Sequence, residues 1–284
     1  MRRASGTCEA NGQDYWRTER SARIGGRCRS RSSRYAAWLC GLLILGCCFA
    51  LAGTAHATTC KMPLRIALDI GHSPKVPGAV SARGKLEYAF NRRFVDELVA
   101  TAKGIPALDV VVINPGGDDI ALIRRSELAK AEGVDVFLSI HHDSVNPKYY
   151  REWLVDGAKQ IFADDFRGHS IFVSKENVAF EQSLALAKLI GARLRAIELV
   201  PTLHHAEKIP GEDRALLSAE LGVYDAPFAV LRNAATPSVL FEVGVLVHRE
   251  EELLLETTAH RQRMQGAVLD ALKEYCLPKD GKTP

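Results

Sequence analysis

Residues 64–72 read LRIALDIGH, a largely apolar run that ends in Gly71 and His72. A β-rich run of this length, closed by a glycine, is typical of a buried strand. Residues 136–144, VFLSIHHDS, show the same pattern and again reach histidine at their end. Helical stretches separate these runs from one another. The sequence therefore predicts an α/β fold, a single domain with a mostly parallel or mixed central sheet and helices on both faces.

The alternation of patterns gives the expected elements in chain order. Five strands are predicted at Leu64–Asp69, Val110–Ile113, Val136–Ile140, Ser170–Val173 and Val239–Phe241. Four helices are predicted at Lys85–Lys103, Ile120–Glu132, Val178–Leu199 and Glu250–Tyr275. Two long connections, Val145–Gly168 and Pro201–Pro227, carry aromatic and polar residues, so they either shape access to a site or are plain surface insertions.

The first 57 residues differ in kind from the rest of the chain. Nine arginines lie between Arg2 and Arg34, and the uncharged run Tyr35–Ala57 then ends in Ala-His-Ala. A basic segment, an apolar core and a small-residue cleavage site are the parts of a secretory signal. We predict a signal peptide with a long basic extension at 1–57, a catalytic domain at 58–284, and export, most simply to the periplasm. An uncleaved leader would instead anchor the protein, and is the only membrane contact expected.

Charge and cysteine content change when this leader is set aside. The whole chain has 37 basic and 34 acidic residues, of which the leader holds nine basic and three acidic ones. The remaining 28 basic and 31 acidic residues give a formal net charge of about −3. The apparent basicity therefore gives no reason to expect a nucleic-acid partner. Two of the seven cysteines remain, Cys60 and Cys276. In an oxidising compartment they are predicted to form a disulfide, with two unpaired thiols as the alternative.

Polar residues follow the ends of the predicted strands. His72 follows the first strand, His141 the third and Glu242 the last, while Glu87 stands near the start of the first helix. Because active sites of such sheets collect beyond the carboxyl ends of the strands, these side chains are expected to converge. Two histidines and a carboxylate leave a fourth position for water on a catalytic zinc ion, and a further glutamate can accept the proton. Spacing alone also allows ordinary turn, surface and strand-end roles, because no HExxH or CxxC pair is present.

The same segments resemble the zinc-dependent N-acetylmuramoyl-L-alanine amidases of bacterial cell-wall metabolism, from about Leu64 to Leu272. The resemblance rests on residues 68–72, 86–91, 125–129, 135–141, 230–232 and 237–244. It implies that His72, Glu87 and His141 ligate Zn²⁺ and that Glu242 is the catalytic glutamate. The implied reaction is hydrolysis of the amide bond between N-acetylmuramic acid and L-alanine in peptidoglycan.

Further polar residues are candidates for contacting substrate or orienting the ligands. They are His142, Asp143, Arg125, His205, Glu207 and Arg232. Successive strand residues point to opposite faces, so only one of His141 and His142 can be a ligand, and motif position selects His141. The turn around His205 could offer a fourth ligand, but substrate contact or ligand orientation is the preferred interpretation.

Several positions depart from the usual family pattern. Ile70 replaces a proline, His142-Asp143 replaces Ala-Asn, Asn114-Pro115 replaces Thr-Arg, and residues 243–248 replace Thr-Gly-Phe-Leu-Ser-Asn. We expect these changes to alter the grip on substrate and to leave catalysis intact. The expected partner is peptidoglycan, the resemblance also implies a regulatory activator protein, and the expected state is a monomer. Whether the 145–168 loop closes the site until a partner moves it stays open. Two alternatives stay open: a degenerate amidase fold that binds peptidoglycan without cutting it, and a zinc peptidase acting on stem peptides.

Overall fold

The apolar runs of the sequence are the strands of one sheet. The computed structural model describes residues 61–276. Its strands are β1 Leu64–Ile70, β2 Leu108–Ile113, β3 Val136–Asp143, β4 Arg151–Val155, β5 Ala158–Phe162, β6 Ser170–Val173, β7 Ala215–Ser218, β8 Val223–Asp225 and β9 Ser238–Val245. Its α-helices are α1 Glu87–Ala102, α2 Leu122–Ala131, α3 Phe180–Ala196, α4 Ala229–Arg232, α5 Arg249–Glu256 and α6 Thr258–Tyr275.

Seven of these strands form a mixed sheet in the order β2-β1-β3-β9-β6-β8-β7. The four strands β2, β1, β3 and β9 are parallel, whereas β6 runs antiparallel to β9. Beyond it, β8 is parallel to β6 and β7 is antiparallel to β8. The predicted mixed α/β sheet is thereby confirmed. The parallel block brings the carboxyl ends of β1, β3 and β9 to one edge.

Helices cover both faces of the sheet. Ile66 and Leu68 of β1 belong to an apolar cluster that also contains residues of α1, α3 and α6. Ala67, between them, belongs to a second cluster with residues of α2 and α4. Both faces of β1 are therefore buried, which explains why LRIALDI is almost continuously apolar instead of alternating with polar residues.

The structure corrects the sequence predictions in two places. The predicted helix Glu250–Tyr275 is two helices, because Thr257 has extended backbone and its hydroxyl accepts a hydrogen bond from the His260 N–H, which caps α6. The two long connections also carry regular structure: β4 and β5 pair as a separate hairpin, and β7 and β8 extend the main sheet.

The ends of the chain bear on two predictions that stay open. Residues 1–57 and Cys60 lie outside the described residues, so the leader and the disulfide remain predictions. Cys276 ends the described part of the chain, directly after α6, and is 9% exposed. Between residues 61 and 276, no helix combines the length and the apolar character that crossing a bilayer requires.

Candidate active site

His72, Glu87 and His141 converge at the carboxyl edge of the sheet. His72 follows β1 and has a left-handed backbone, with φ of 67°; such a conformation in a non-glycine residue is uncommon and is concentrated at functional sites. Its Nε2 lies 3.0 Å from Glu87 Oε2, and His141 Nδ1 lies 3.1 Å from Glu87 Oε1. The ligand atoms of all three residues are within 4.8 Å of one another. We call these three residues the first cluster.

Glu87 is the best anchored member of the first cluster. Its carboxylate accepts hydrogen bonds from the Ala79 N–H, the Asn91 side-chain amide and the His142 N–H. Burial alone would raise the pKa of Glu87, but hydrogen bonds from His141 and His72 outweigh it and hold the pKa well below its usual value. Glu87 is therefore an ionised carboxylate, the form that binds metal.

Two glycines leave the space in which the first cluster is packed. A Cβ atom at Gly71 would lie 2.5 Å from the ring of His141. A Cβ atom at Gly78 would overlap Glu87 Oε2 and lie 2.6 Å from His72 Cδ2, and Gly78 has a φ of +80°. Both positions therefore require glycine, the first for close approach and the second also for its backbone conformation.

The donor set fits a zinc ion. Two imidazole nitrogens and a carboxylate oxygen are the ligands of many catalytic zinc sites, and they leave a fourth position free. The separations of 3.0 and 3.1 Å are near the roughly 3.4 Å expected between ligands of a tetrahedral ion at about 2.1 Å. His72 and His141 are also partly exposed, so a substrate can reach the fourth position.

Arg125 supports the first cluster from below. It is buried, pairs with Asp69 at 2.8 Å, and donates to the carbonyl oxygens of Ile70 and His72 at 2.6 Å each. Ser139 donates to the other oxygen of Asp69. Nη1 and Nη2 of Arg125 are thus engaged by the end of β1 and the turn after it, whereas Nε has no hydrogen-bond partner among residues 61–276. Arg125 positions the backbone of His72, and because it also lines the cavity, its contact with substrate stays a prediction.

Glu242 enters the same site from β9. It is the register partner of His141, so the two side chains leave the same face of the sheet. Burial, and then the charges of Asp143 and Glu87, raise the pKa of Glu242 well above its usual value. Its Oε2 is shielded from solvent and has no hydrogen-bond partner among residues 61–276.

A cavity of about 540 Å³ opens onto these residues. Its polar lining comprises Asp69, His72, Ser73, Asp119, Arg125, His141 and Glu242. Its apolar wall comprises Val76, Ile120, Ala121, Leu122, Phe228, Ala229, Val230 and Leu240, which come mainly from the starts of α2 and α4 and from β9. No residue of the 145–168 connection is part of this lining. The hairpin within that connection packs elsewhere, where Trp153 Nε1 donates to the Ala82 carbonyl.

His142 lies on the opposite side of β3 from His141, as strand geometry predicts. Its Nδ1 is 2.7 Å from Asn91 Oδ1, and its ring packs against Phe90 and Phe94. Burial lowers the pKa of His142 to about 3, so the ring is neutral and donates to Asn91. Asn91 in turn holds Glu87, which makes His142 part of the support beneath the first cluster.

Asp143 and His205 bind each other instead of lining the cavity. His205 Nε2 lies 2.8 Å from Asp143 Oδ2, and His205 Nδ1 lies 2.8 Å from Glu212 Oε2. Burial alone would lower the pKa of His205, but Asp143 and Glu212 raise it to about 9. Asp143 also bears on the site through its charge, which raises the pKa of Glu242.

Glu207 and Arg232 also lie outside the cavity lining. Glu207 accepts a hydrogen bond from the Tyr149 hydroxyl. Arg232 is largely exposed and faces Glu176 at 3.9 Å. Their contacts with substrate stay predictions.

Three residues important to the site were not among the predicted site residues. Asn91 belongs to the 86–91 motif without a predicted role, and Gly78 lies in a loop without any periodic pattern. Arg214 stacks over Phe228, a cavity residue, and its charge lowers the pKa of Glu242. A signal for Asn91 was available, since it stands four residues after Glu87 and therefore on the same helical face.

Comparison with known proteins identifies the family of the chain. The family model described as N-acetylmuramoyl-L-alanine amidase matches residues 66–274. The amidase AmiA of Salmonella typhimurium is 27% identical over 231 residues, which cover 74% of this chain and 75% of that protein. The probable amidase AmiB of Haemophilus influenzae is also 27% identical and matches 78% of this chain, but only 53% of its own length is covered.

Solved structures share the fold. The catalytic domain of the amidase CwlV from Bacillus (Paenibacillus) polymyxa has a TM-score of 0.57 at 23% identity, covering 74% of this chain and 97% of that one. The amidase CwlD of Clostridioides difficile, solved in complex with the lipoprotein GerS, has a TM-score of 0.54 at 19% identity, covering 74% of this chain and 97% of that one. At these identities the likeness establishes the fold alone.

Proposed function

The chain belongs to the N-acetylmuramoyl-L-alanine amidase family, and we propose that it hydrolyses the amide bond between N-acetylmuramic acid and L-alanine in peptidoglycan with a zinc ion held by His72, Glu87 and His141. The observation that carries this proposal is one cavity lined by His72 and His141 of the first cluster and by Glu242, whose shielded Oε2 has no hydrogen-bond partner among residues 61–276. This is the arrangement that metal-assisted hydrolysis needs.

The proposed role of each residue follows from the position of its side chain. When bound, zinc polarises the scissile carbonyl and lowers the pKa of the attacking water toward about 7. His72, Glu87 and His141 hold the ion, while Asn91 and the Ala79 N–H keep the Glu87 carboxylate in place. Arg125 fixes the carbonyl of His72 and so the direction in which its ring enters the cavity.

Glu242 is the proton carrier in this proposal. Its carboxylate accepts a proton from the attacking water and returns it to the departing L-alanine nitrogen. Burial favours the protonated form, so the proton is kept inside the cavity until the amine leaves. The positive charge of a bound cation would favour the ionised form and so prepare Glu242 to accept the proton at the start.

The apolar wall supplies the surface on which substrate would rest. Ile120 and Leu122 at the start of α2, and Phe228 before α4, belong to the apolar wall of the cavity. We infer that this wall receives the methyl groups of the lactyl and L-alanine units next to the scissile bond, because burying methyl groups is favourable. This chain has Asn114-Pro115 where the family commonly has Thr-Arg, so substrate binding should depend more on apolar contacts.

We further propose export to the periplasm, a disulfide between Cys60 and Cys276, and control by an activator protein. The leader supports export, and the compartment would favour the disulfide. The complex of the related CwlD amidase with a lipoprotein supports an activator, although the cavity here is not lined by the 145–168 connection. Pulldown from an envelope extract with the full chain would test the activator, and thiol counting before and after reduction would test the disulfide.

The experiment for the hydrolysis is a release assay on purified, insoluble peptidoglycan. We expect soluble peptides to appear with the zinc-loaded chain, to stop after chelation, and to resume when zinc returns. The Glu242→Gln chain should bind zinc and release nothing above background. Equal release by the Glu242→Gln chain would remove Glu242 from the reaction, and release that survives complete removal of metal would refute the zinc proposal.

A further inference from the structure

A second group of histidine and carboxylate side chains lies farther along β3. Asp143 stands two residues after His141, and it meets His204 and His205 of the long 201–227 connection. Their relative exposures are 7%, 1% and 8%, so all three are buried. The possible ligand atoms of the three residues lie within 4.8 Å of one another. We call these residues the second cluster.

Both imidazoles present the same nitrogen to the carboxylate. His205 Nε2 lies 2.8 Å from Asp143 Oδ2, and His204 Nε2 lies 3.6 Å from the same oxygen. The carbonyl oxygen of Ser144 is 3.2 Å from His204 Nε2. These three separations, 2.8, 3.6 and 3.2 Å, resemble the roughly 3.4 Å between ligands of a tetrahedral ion.

The other nitrogen of each ring is held from outside. His205 Nδ1 faces Glu212 Oε2 at 2.8 Å, and His204 Nδ1 faces Thr202 Oγ1 at 2.9 Å. Metal-binding histidines almost always have such a partner, which fixes the ring orientation and makes the ligating nitrogen more basic. The second cluster has this outer support on both rings, a feature that an isolated histidine-aspartate pair does not need.

The second cluster also gathers negative charge in a buried place. Asp143 and Glu212 are two carboxylates that share the imidazole of His205, and the charge of Arg214 acts on both of them. The surroundings are poorly solvating, because His205 packs on Phe172 with ring centroids 5.0 Å apart and His204 packs on Phe166 at 5.3 Å. Buried carboxylates in such surroundings are stabilised by pairing or by metal coordination.

We propose that Asp143, His204 and His205, together with the Ser144 carbonyl oxygen, form a second metal site that binds a divalent ion of the zinc class. Imidazole and carboxylate donors suit zinc and its neighbours in the first transition series, not calcium or magnesium. The site is closed by its own protein ligands, and none of these residues lines the cavity. Its role is therefore structural.

The structural role is to fasten the 201–227 connection to the sheet. His204 and His205 belong to that connection, while Asp143 belongs to β3, next to the strand that carries Glu242. The Arg214 N–H donates to the His205 carbonyl, so the same fastening also places Arg214, whose charge acts on Glu242. A proton on His205 is the competing occupant of the second cluster, and it would leave the histidine pair without metal.

The metal content of the protein shows whether a metal ion or a proton on His205 occupies the second cluster. Full-length protein would be loaded with Zn²⁺, freed of excess ion by gel filtration, and analysed by mass spectrometry for zinc per chain. We expect two ions in the wild type, one in His72→Ala, one in the double variant His204→Gln/His205→Gln, and two in the control His169→Gln, a buried histidine without a carboxylate partner. One ion in the wild type and none in His72→Ala would overturn the proposal.

A second readout does not depend on altering the second cluster. In the His72→Ala protein, chelation should lower the melting temperature, and Co²⁺ should produce the absorption bands of a nitrogen- and oxygen-ligated ion. No shift and no bands would contradict the proposal even if the double variant does not fold. The inference is also independent of the amidase mechanism: if the first cluster held no metal, the wild type would have one ion, which His72→Ala would keep and the double variant would lose.

Discussion

The two clusters on β3 have the same donor chemistry but opposite access to solvent. The first contains His141, and its histidines are 17% and 29% exposed in their side chains at the mouth of a cavity. The second contains Asp143, two residues farther on, and is closed by aromatic rings and by its own outer hydrogen bonds. The identity of the ligands therefore indicates a metal, whereas their exposure decides whether substrate can reach it.

Glu242 lies where the two clusters influence each other. Its pKa is raised by burial and by the charges of Asp143 and Glu87, one carboxylate from each cluster. It has no hydrogen-bond partner at Oε2 within residues 61–276, unlike the carboxylates of both clusters. We therefore assign metal binding to the carboxylates that have hydrogen-bond partners and proton transfer to Glu242, whose Oε2 has none among the described residues.

The largest effect is expected for Glu242→Gln. Because general acid-base catalysis contributes about 10²- to 10⁴-fold, kcat for peptidoglycan should fall by that factor while the zinc content stays unchanged. Steady-state turnover and metal analysis on the same preparation would measure both. Glu127→Gln, an exposed carboxylate on α2, is the control and should keep full activity. Loss of zinc from Glu242→Gln would show that Glu242 is a ligand, and the distinction between paired and unpaired carboxylates would fail.

Removal of the support beneath the first cluster should destabilise the fold. Arg125→Met leaves Asp69 as an unpaired buried charge and frees the carbonyls of Ile70 and His72, which should cost about 3–5 kcal/mol in unfolding free energy. Urea titration at pH 7 would measure the change. Arg124→Met removes the neighbouring exposed arginine and should cost less than about 1 kcal/mol. Equal costs for the two variants would contradict a buried positioning role for Arg125.

His169 is a buried histidine outside both clusters, and its pKa is shifted in the opposite direction from that of His205. Burial lowers the pKa of His169 to about 4, whereas carboxylates raise the pKa of His205 to about 9. Below pH 6.5, His169 is protonated in the unfolded chain but stays neutral in the folded protein. The free energy of unfolding should therefore fall by about 3 kcal/mol as the pH is lowered from 6.5 toward 4. Unfolding free energy measured from pH 7 to 4 should fall less steeply in His169→Gln. Parallel curves for the two proteins would rule out His169 as a source of the acid sensitivity.

The smallest effect is expected where only the packing around the first cluster changes. Gly78→Ala places a methyl group against Glu87 and His72, so zinc affinity should fall about 10- to 100-fold, as is typical when support around a metal site is disturbed. Competition with a chromophoric chelator would measure it. Gly157→Ala is a matched control, since Gly157 has the same φ of +80° but no neighbour within 4 Å of an added Cβ. A similar loss in both variants would attribute the effect to backbone strain instead of crowding.

The sequence was sufficient to predict the fold class and the convergence of the first cluster. Parallel strands buried on both faces leave long apolar runs, and their carboxyl ends must meet at one edge, which brings His72, His141 and Glu242 together. The helix position of Glu87 could be read from periodicity. The opposite directions of His141 and His142 followed from the two-residue period of a strand.

Other features depend on contacts between distant parts of the chain. The second cluster joins Asp143 to residues about 60 positions later, through a connection whose course no periodic pattern determines. The break at Thr257 was missed because the apolar pattern continues from α5 into α6, and the threonine cap decides the boundary. The surface position of Arg232 and the buried one of Arg125 could not be distinguished, because an arginine in sequence gives no indication of its partner.

Mass spectrometry of the soluble products from peptidoglycan digested by the zinc-loaded full chain would identify the bond that is cut. We expect free stem peptides whose first residue is L-alanine, glycan strands whose lactyl groups carry no peptide, and neither product from Glu242→Gln. Cleavage within the stem peptides, with L-alanine still joined to N-acetylmuramic acid, would make the protein a peptidase and contradict the account. Intact peptidoglycan that nevertheless retains the protein would make it a binding protein and contradict the account as well.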